Sequence, residues 1–167
     1  MQTFPTTIAF VLLAVAPALA ADATKKADAP KANPIYINTA EIKWGAPPPE
    51  IPAGGQMAVL HGDPSKKAPF TLRLKMPAGY RIPPHWHSND EQLTILSGEL
   101  ILHMGDKMDA PAQALGAGGF HFLPGKMHHA AETKVETVVQ VDGVGPFDIH
   151  YLNPADNPNK AAGAAKK

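Results

Sequence analysis

Glycine and proline divide the central part of this chain into short segments, and this division limits the folds that are open to it. The two residue types account for 14 and 18 of the 167 residues. Turn signals at Gly62-Asp63-Pro64 and Gly105-Asp106-Lys107, and the single Gly98, separate runs rich in Val, Ile, Leu, Phe and Thr. No run shows the 3.6-residue period of an amphipathic helix. We therefore predict an all-β fold, either a sandwich or a barrel.

The clearest strand signal is the segment Phe70–Met76, which is apolar at every even position and polar at every odd one. Such alternation is typical of a half-buried strand. The tripeptide Pro47-Pro48-Pro49 excludes a central strand, so we interpret it as part of an arm that wraps one mouth of the domain. The predicted strands are Ile35–Ile42, Met57–His61, Phe70–Met76, Gln92–Ser97, Glu99–Met104, Phe120–Leu123, Thr137–Val141 and Phe147–Leu152.

The stretch from Gly79 to Gly98 carries side chains that suit a metal ion. It places His85, His87 and Glu91 within seven residues. Side chains two apart on a strand point to the same face, so the two imidazoles lie side by side, and Glu91 returns to that face if the chain stays extended. Imidazole suits iron, copper, nickel and zinc, and a carboxylate extends the range to manganese. Taken alone, the segment also fits a surface strand with two solvated histidines.

A second pair of histidines, His128 and His129, follows the turn Leu123-Pro124-Gly125. It can complete the same site from another strand. Neighbouring residues of a strand point to opposite faces, so only one of the two can do so.

The spacing of these residues resembles the cupin superfamily, and within it the small single-domain bacterial cupins. The first cupin motif is a glycine, five residues, His-x-His, three or four residues, a glutamate, six residues and a glycine. Gly79, His85, His87, Glu91 and Gly98 match it at every position.

The second cupin motif matches in part, at Gly118, Pro124 and His129. Lys126 stands where that motif has a glycine, and Thr133 stands where it has an asparagine. The resemblance extends from about residue 36 to residue 158.

The resemblance implies a double-stranded β-helix, also called a jelly roll. It further implies a divalent transition metal ion, with iron or manganese favoured and zinc, nickel or copper compatible. By the same resemblance the metal ligands are His85, His87, Glu91 and His129, whereas His128 points away. On a six-coordinate ion, these four ligands leave one or two positions open for a substrate, water or dioxygen.

For function, the resemblance implies a metal-dependent enzyme that acts on a small molecule, with dioxygenase-like or decarboxylase- or isomerase-like chemistry. The alternative is a non-catalytic module that binds a metal or a small ligand. His103 and His121 lie in strand segments and are candidate acid–base groups, although such residues are more often simply half-buried. The chain contains no nucleophile elbow, phosphate-binding glycine loop or H-E-x-x-H helix.

The two ends of the chain differ in composition from its centre. Residues 1–20 are predicted to be a signal peptide, since the apolar run Ile8–Ala16 is too short to span a bilayer and Ala18-Leu19-Ala20 fits a cleavage site. No Lys or Arg precedes that run, which departs from the usual pattern. We predict a disordered linker over residues 21–33, a cupin domain over 34–158 and a disordered tail over 159–167. The expected location is periplasmic or secreted, without a membrane anchor after cleavage.

The charge content of the chain bears on its partners, and the cysteine content bears on its stability. Lys plus Arg equals Asp plus Glu at 15 each, so no basic excess indicates nucleic acid. There is no cysteine, and the stability of the domain must therefore come from its core. A small-molecule ligand or substrate is the expected partner, and the sequence leaves a homodimer open.

Overall fold

The computed structural model describes residues 33–160. The predicted signal peptide lies outside these residues, as do all but Asn33 of the predicted linker and all but residues 159 and 160 of the predicted tail. No helix among the described residues is long and apolar enough to cross a membrane. The strands are β1 Gln56–His61, β2 Pro69–Met76, β3 Arg81–Trp86, β4 Glu91–Ser97, β5 Glu99–Met104, β6 Ala112–Gly116, β7 Phe120–Leu123, β8 His129–Thr133, β9 Thr137–Val144 and β10 His150–Tyr151, and short 3₁₀ helices span Thr39–Glu41 and Pro154–Asp156.

The strands form two five-stranded sheets, which we name the first and the second sheet. The first sheet has the order β1-β2-β9-β4-β7, and the second has the order β10-β3-β8-β5-β6. All strand pairs are antiparallel. This arrangement confirms the predicted all-β jelly roll.

The core lies on the inner faces of the two sheets. In β2 the alternation seen in the sequence becomes burial, since Phe70, Leu72 and Met76 are buried while the residues between them are partly exposed. β4 follows the same rule, with Leu93 and Ile95 buried. The second sheet contributes its own apolar residues, so each sheet covers the apolar face of the other.

Some predicted element boundaries were wrong. Ile35–Ile42 is not a strand, because it contains the 3₁₀ helix Thr39–Glu41, whose start is held by a hydrogen bond from the backbone N–H of Asn38 to Glu41. The segment Phe147–Leu152 is a strand only over β10, which comprises its fourth and fifth residues. Strand β6 was not predicted, because it consists largely of small or polar residues and carries no strong apolar alternation. Strands β3 and β8 were expected only as the strands around His85 and His129, without bounds.

Two tight turns place the strands that carry the candidate site. Gly98 joins β4 to β5 with φ of 77°, and a Cβ atom there would clash with the carbonyl oxygen of Glu136. Lys126, which replaces a glycine of the cupin motif, also has positive φ, at 67°. Its backbone N–H donates to the carbonyl of His87 at 2.7 Å. This bond fixes the β7–β8 turn against the end of β3.

The proline-rich arm, residues 45–55, is tied to the domain by two tyrosine hydroxyls. Tyr80 donates to the carbonyl of Pro52, and Tyr151 donates to the carbonyl of Glu50 at 2.8 Å. The arm contributes Pro48, Glu50 and Ile51 to the wall of the internal cavity. It therefore closes part of the space between the sheets.

Candidate metal centre

An internal cavity of about 430 Å³ lies between the two sheets. Strands of both sheets and the proline-rich arm supply its walls. Most of the residues in these walls are apolar. Histidine and acidic side chains are the polar part of the lining, and they include the residues that the sequence predicted as ligands.

Three histidines form a compact cluster in this cavity. One ring nitrogen from each of His85, His87 and His129 lies within 4.8 Å of the others. Their exposed fractions are only 3%, 6% and 3%. His85 on β3 is directly opposite His129 on β8, and their ring centroids are 4.2 Å apart. Strand pairing in the second sheet thus brings together side chains that are 44 residues apart in sequence.

Each histidine of the cluster is oriented by a backbone carbonyl. The Nδ1 atom of His85 donates to Pro83 at 2.7 Å, that of His129 donates to Met127 at 3.0 Å, and that of His87 donates to Asp148. A carbonyl oxygen only accepts hydrogen bonds, so the proton of each neutral ring must be on Nδ1. The Nε2 lone pair of each ring is therefore available to a metal ion.

The electrostatics of the cluster favour neutral imidazoles. Burial, with the neighbouring His129 and His87, lowers the pKa of His85 from 6.5 to about 3. Burial also lowers the pKa of His129. Protonation would place positive charge in a confined apolar space. At neutral pH these two rings are thus in the state that a metal ion requires.

Glu91 reaches the histidines from the opposite sheet. Strand β3 ends at Trp86 and β4 begins at Glu91, so the residues between them cross from the second sheet to the first. The expectation of one extended face was therefore wrong, although the carboxylate still arrives at the cluster. Its oxygens lie 3.6 Å from Nε2 of His87 and 3.5 Å from Nε2 of His129.

The carboxylate of Glu91 is buried and surrounded by imidazoles. Burial alone would raise its pKa, but the hydrogen bond with His121 and the charges of the surrounding histidines outweigh that effect and lower the pKa to about 2. An ionised carboxylate next to Nε2 lone pairs is the state in which Glu91 can serve as a ligand.

One of the two candidate acid–base histidines lies beside this site. His121 on β7 is buried and lines the cavity. Its Nε2 atom is 3.2 Å from the Oε2 atom of Glu91. Within residues 33–160, its buried Nδ1 atom has no hydrogen-bond partner. The pairing of β4 with β7, in which Leu93 is opposite His121, produces this contact.

His103, the other candidate, does not reach the cavity. On β5 the side chains of Leu100 and Leu102 line it, and His103 belongs to the alternate face. There His103 is buried, with its Nδ1 atom 3.2 Å from the carbonyl of Ala110 and its Nε2 atom 3.5 Å from Glu132. The structure therefore gives no support to a catalytic role for His103.

His128 points away from the cluster, as its position on the strand implied. Its side chain is 40% exposed, and its Nδ1 atom lies 2.7 Å from Asp106. Trp86, between the two histidines of β3, also faces outwards and stacks on His150 with 4.0 Å between ring centroids.

Asp148 supports the site and was not identified from the sequence. Its carboxylate accepts hydrogen bonds from the backbone N–H of Ser88 at 2.8 Å and from the Ser88 hydroxyl at 2.7 Å. Nε2 of His150 lies 3.0 Å from the same carboxylate. These bonds hold in place the backbone carbonyl of Asp148 that orients His87. No local pattern marks Asp148, because the contact joins residues 60 positions apart.

The donor set fits a divalent transition metal ion. Among the described residues, the buried Nε2 atom of His87 has no hydrogen-bond partner. Buried polar atoms without partners are costly, and a metal ion would satisfy this one. Two ligands on one ion, with bonds of about 2.0–2.2 Å, lie roughly 3.0–3.4 Å apart. The distances of Glu91 to His87 and His129 are close to that spacing.

A family profile described as a domain of unknown function, DUF4437, matches residues 7–150. The chain belongs to the DUF4437 family. No curated protein matches this DUF4437 chain.

Solved structures show that the DUF4437 chain has a cupin fold. The polyketide cyclase RemF from Streptomyces resistomycificus has a TM-score of 0.65 at 14% identity, over 78% of this chain and 94% of that one. A candidate acetylacetone dioxygenase from Methylibium petroleiphilum PM1 has a TM-score of 0.59 at 20% identity, over 80% and 95%. An RmlC-like cupin from Ralstonia eutropha JMP134 has a TM-score of 0.58 at 17% identity, over 75% and 76%. At such identities the similarity carries the fold alone.

Proposed function

We propose that this protein is a metal-dependent enzyme that oxidises a small molecule with dioxygen. The observation that carries the proposal is the convergence of three buried histidines, each with Nδ1 bound to a carbonyl, on one end of an apolar cavity. Iron or manganese fits this set of nitrogen donors with a nearby carboxylate.

The residues of the site would have different roles. His85, His87 and His129 hold the ion through Nε2, and Glu91 supplies a fourth donor or stays hydrogen-bonded to His121. When bound, the metal ion supplies Lewis acidity and a site for dioxygen and substrate. The apolar residues of the wall lower the effective dielectric constant around the site, which strengthens the electrostatic interactions there.

A second candidate is proton-transfer chemistry of the isomerase or decarboxylase type, and one observation favours it. The pair formed by Glu91 and His121 places an acid and an imidazole in direct contact at the edge of the histidine cluster. Such a pair can hold a proton at Oε2 of Glu91 or at Nε2 of His121. Both reaction types use the same metal centre and differ in whether oxygen is consumed.

Oxygen consumption by the iron-loaded protein tests the proposal. Acetylacetone is a rational first compound because of the structural neighbour from Methylibium, followed by other small diketones and catechols. We expect metal-dependent uptake that is lost in His87→Ala and kept in His128→Ala, since His128 is outside the site. Turnover of any of these compounds without oxygen uptake would instead support proton-transfer chemistry.

We also propose that the protein is exported, with cleavage after Ala20. The support is the apolar run that ends at Ala16 and the small residues Ala18 and Ala20. The intact mass of the protein from an osmotic-shock fraction tests this proposal. A full-length mass in the cytoplasmic or membrane fraction would contradict it.

A further inference from the structure

The wall of the cavity is mostly apolar, whereas a site for a sugar or a nucleotide needs many hydrogen-bonding groups. Sixteen of the 23 residues that line it are aliphatic, aromatic, methionine or proline residues, and the other seven are histidine or acidic residues. All the histidines of the lining belong to the metal cluster or contact Glu91. Two further acidic residues, Glu50 and Asp148, line the cavity, but Asn159 lies 3.3 Å from the carboxylate of Glu50, and the carboxylate of Asp148 accepts hydrogen bonds from Ser88. Apart from these two, a ligand beyond the metal end meets side chains that can neither donate nor accept a hydrogen bond.

No positive side chain faces this space within residues 33–160. Basic residues do occur on neighbouring strands, but they are engaged on the outer faces of the sheets. Arg73 bonds Gln140 at 3.2 Å, Lys75 lies 4.6 Å from the ring centre of Trp44, and Arg81 lies 3.3 Å from Glu132. A carboxylate or phosphate on the body of a ligand would find no counter-ion in the cavity.

The hydroxyl groups nearest to the arm are also engaged. Tyr80 and Tyr151 donate to carbonyls of the arm, and the arm presents Pro48 and Ile51 to the cavity. The arm therefore extends the apolar wall and offers no side-chain hydroxyl to a ligand.

We propose that the substrate of this site is a neutral molecule with an apolar body and one or two oxygen donors at its metal-binding end. This inference rests on the proposed metal-dependent function and adds the substrate class to it. A charge buried without a partner in such a wall is unfavourable, whereas an apolar group gains free energy by leaving water. The volume, about 430 Å³, is at the lower end of the range of ligand pockets, about 300–1,000 Å³.

The position of Leu74 allows the proposal to be tested at the far end of the cavity. In the first sheet, Leu93, Val141 and Leu72 share one row, and Ile95, Val139 and Leu74 share the row two residues further from Glu91. Leu74 therefore lies about 13 Å along the strand direction from the level of Glu91, at ~3.3 Å per residue. It lines the cavity and is only partly buried, so it can accept a longer side chain.

Two catechols that differ only at the distal end provide matched probes. Both 4-methylcatechol and 3,4-dihydroxybenzoate carry the same pair of oxygens, but the first has a methyl group where the second has a carboxylate. Calorimetric titration of zinc-loaded protein, in which the metal is redox-inert, measures their binding without turnover. We expect 4-methylcatechol to bind at least about tenfold more tightly, because the carboxylate would be buried without a partner.

A cation in the wall should reverse this preference. In Leu74→Arg, 3,4-dihydroxybenzoate is expected to gain at least about tenfold over 4-methylcatechol relative to the parent protein. Leu74→Met is the matched control, and it should keep the preference for 4-methylcatechol. The comparison of the two ligands on the unmodified protein stands even if the arginine variant fails to fold.

The outcomes separate this inference from the proposed function. Equal or tighter binding of 3,4-dihydroxybenzoate to the unmodified zinc-loaded protein would overturn the substrate class and leave the metal centre intact. If 4-methylcatechol at millimolar concentration fails to bind protein that carries one zinc ion, the proposed substrate class is also wrong. Failure of the protein to retain zinc would instead count against the metal centre and the proposed function.

Discussion

Acidification is expected to destabilise the metal-free protein through its buried histidines. Burial, together with the neighbouring His129 and His87, lowers the pKa of His85 from 6.5 to about 3 in the native state. Above pH 6.5 the ring is neutral in both the native and the unfolded state, so it contributes no pH dependence. Below pH 6.5 the unfolded chain takes up a proton that the native state excludes. Stability therefore falls as the pH is lowered from 6.5 towards 3.

The magnitude follows from the size of the shift. One pKa unit corresponds to about 1.4 kcal/mol. Between pH 7 and pH 5, a single histidine that stays neutral in the native state lowers the free energy of unfolding by about 2 kcal/mol. This result holds for any native pKa of His85 below about 4. The lowered pKa of His129 acts in the same direction, so the observed loss should exceed that of His85 alone. Glu91, whose pKa is lowered to about 2, contributes stability that is lost mainly below pH 4.5.

Urea denaturation of chelator-treated protein at pH 7 and pH 5, followed by tryptophan fluorescence, measures this difference. His85→Asn removes the titrating group and should reduce the pH dependence by about 2 kcal/mol. His61→Asn, at an exposed position on β1, is the control and should retain the dependence of the parent protein. If His85→Asn and the parent lose the same stability on acidification, the reasoning about buried neutral histidines is wrong.

Three further outcomes are expected. Asp148→Ala should weaken metal binding about 10–100-fold, measured by chelator competition, because Asp148 positions the carbonyl that orients His87. The circular dichroism spectrum should change little, and an unchanged metal affinity would contradict this expectation. Lys126→Gly should raise the free energy of unfolding by about 0.5–1 kcal/mol, because φ of 67° disfavours a side chain, and a lower urea midpoint would refute it. Removing the metal ion should lower the melting temperature by several degrees, since a hundredfold excess of metal over Kd stabilises the native state by about 2.7 kcal/mol; identical melting curves with and without metal would count against it.

Local patterns in the sequence predicted the strands whose two faces differ. Phe70–Met76 alternates because one face of β2 packs in the core, and alternation is visible without knowledge of the partners. The same property of strands allowed a prediction for the histidine pair of the second motif. Because neighbours on a strand point to opposite faces, one of His128 and His129 had to point away, and the structure shows that it is His128.

Features that depend on contacts between distant strands could not be predicted in this way. Glu91 reaches the histidines because the chain crosses between sheets after β3, which the even spacing from His87 does not reveal. His121 meets Glu91 through the pairing of β7 with β4, and His103 faces away through the register of β5. The local sequence does not distinguish His121 from His103, since both lie in strand segments. The contact of Asp148 with His87 likewise spans 61 residues.

Strand β6, which was missed, and strand β8, whose bounds were not predicted, share a physical cause. β6 contains Ala and Gly at most positions, and β8 contains two alanines. Small residues give little hydrophobic contrast between faces, so the strand structure of these segments is imposed by pairing with neighbouring strands, which for the edge strand β6 is β5 alone. β8, for example, is held between β3 and β5.

The most direct test of the metal centre is the metal content of single alanine variants, purified identically and analysed by inductively coupled plasma mass spectrometry. We expect the parent protein and His128→Ala to carry one equivalent of metal, and His85→Ala, His87→Ala and His129→Ala to lose most of it. Glu91→Ala should bind more weakly than the parent. Loss of metal from His128→Ala with retention in His129→Ala, or full occupancy in all three histidine variants, would contradict the assignment of this cluster as the metal centre.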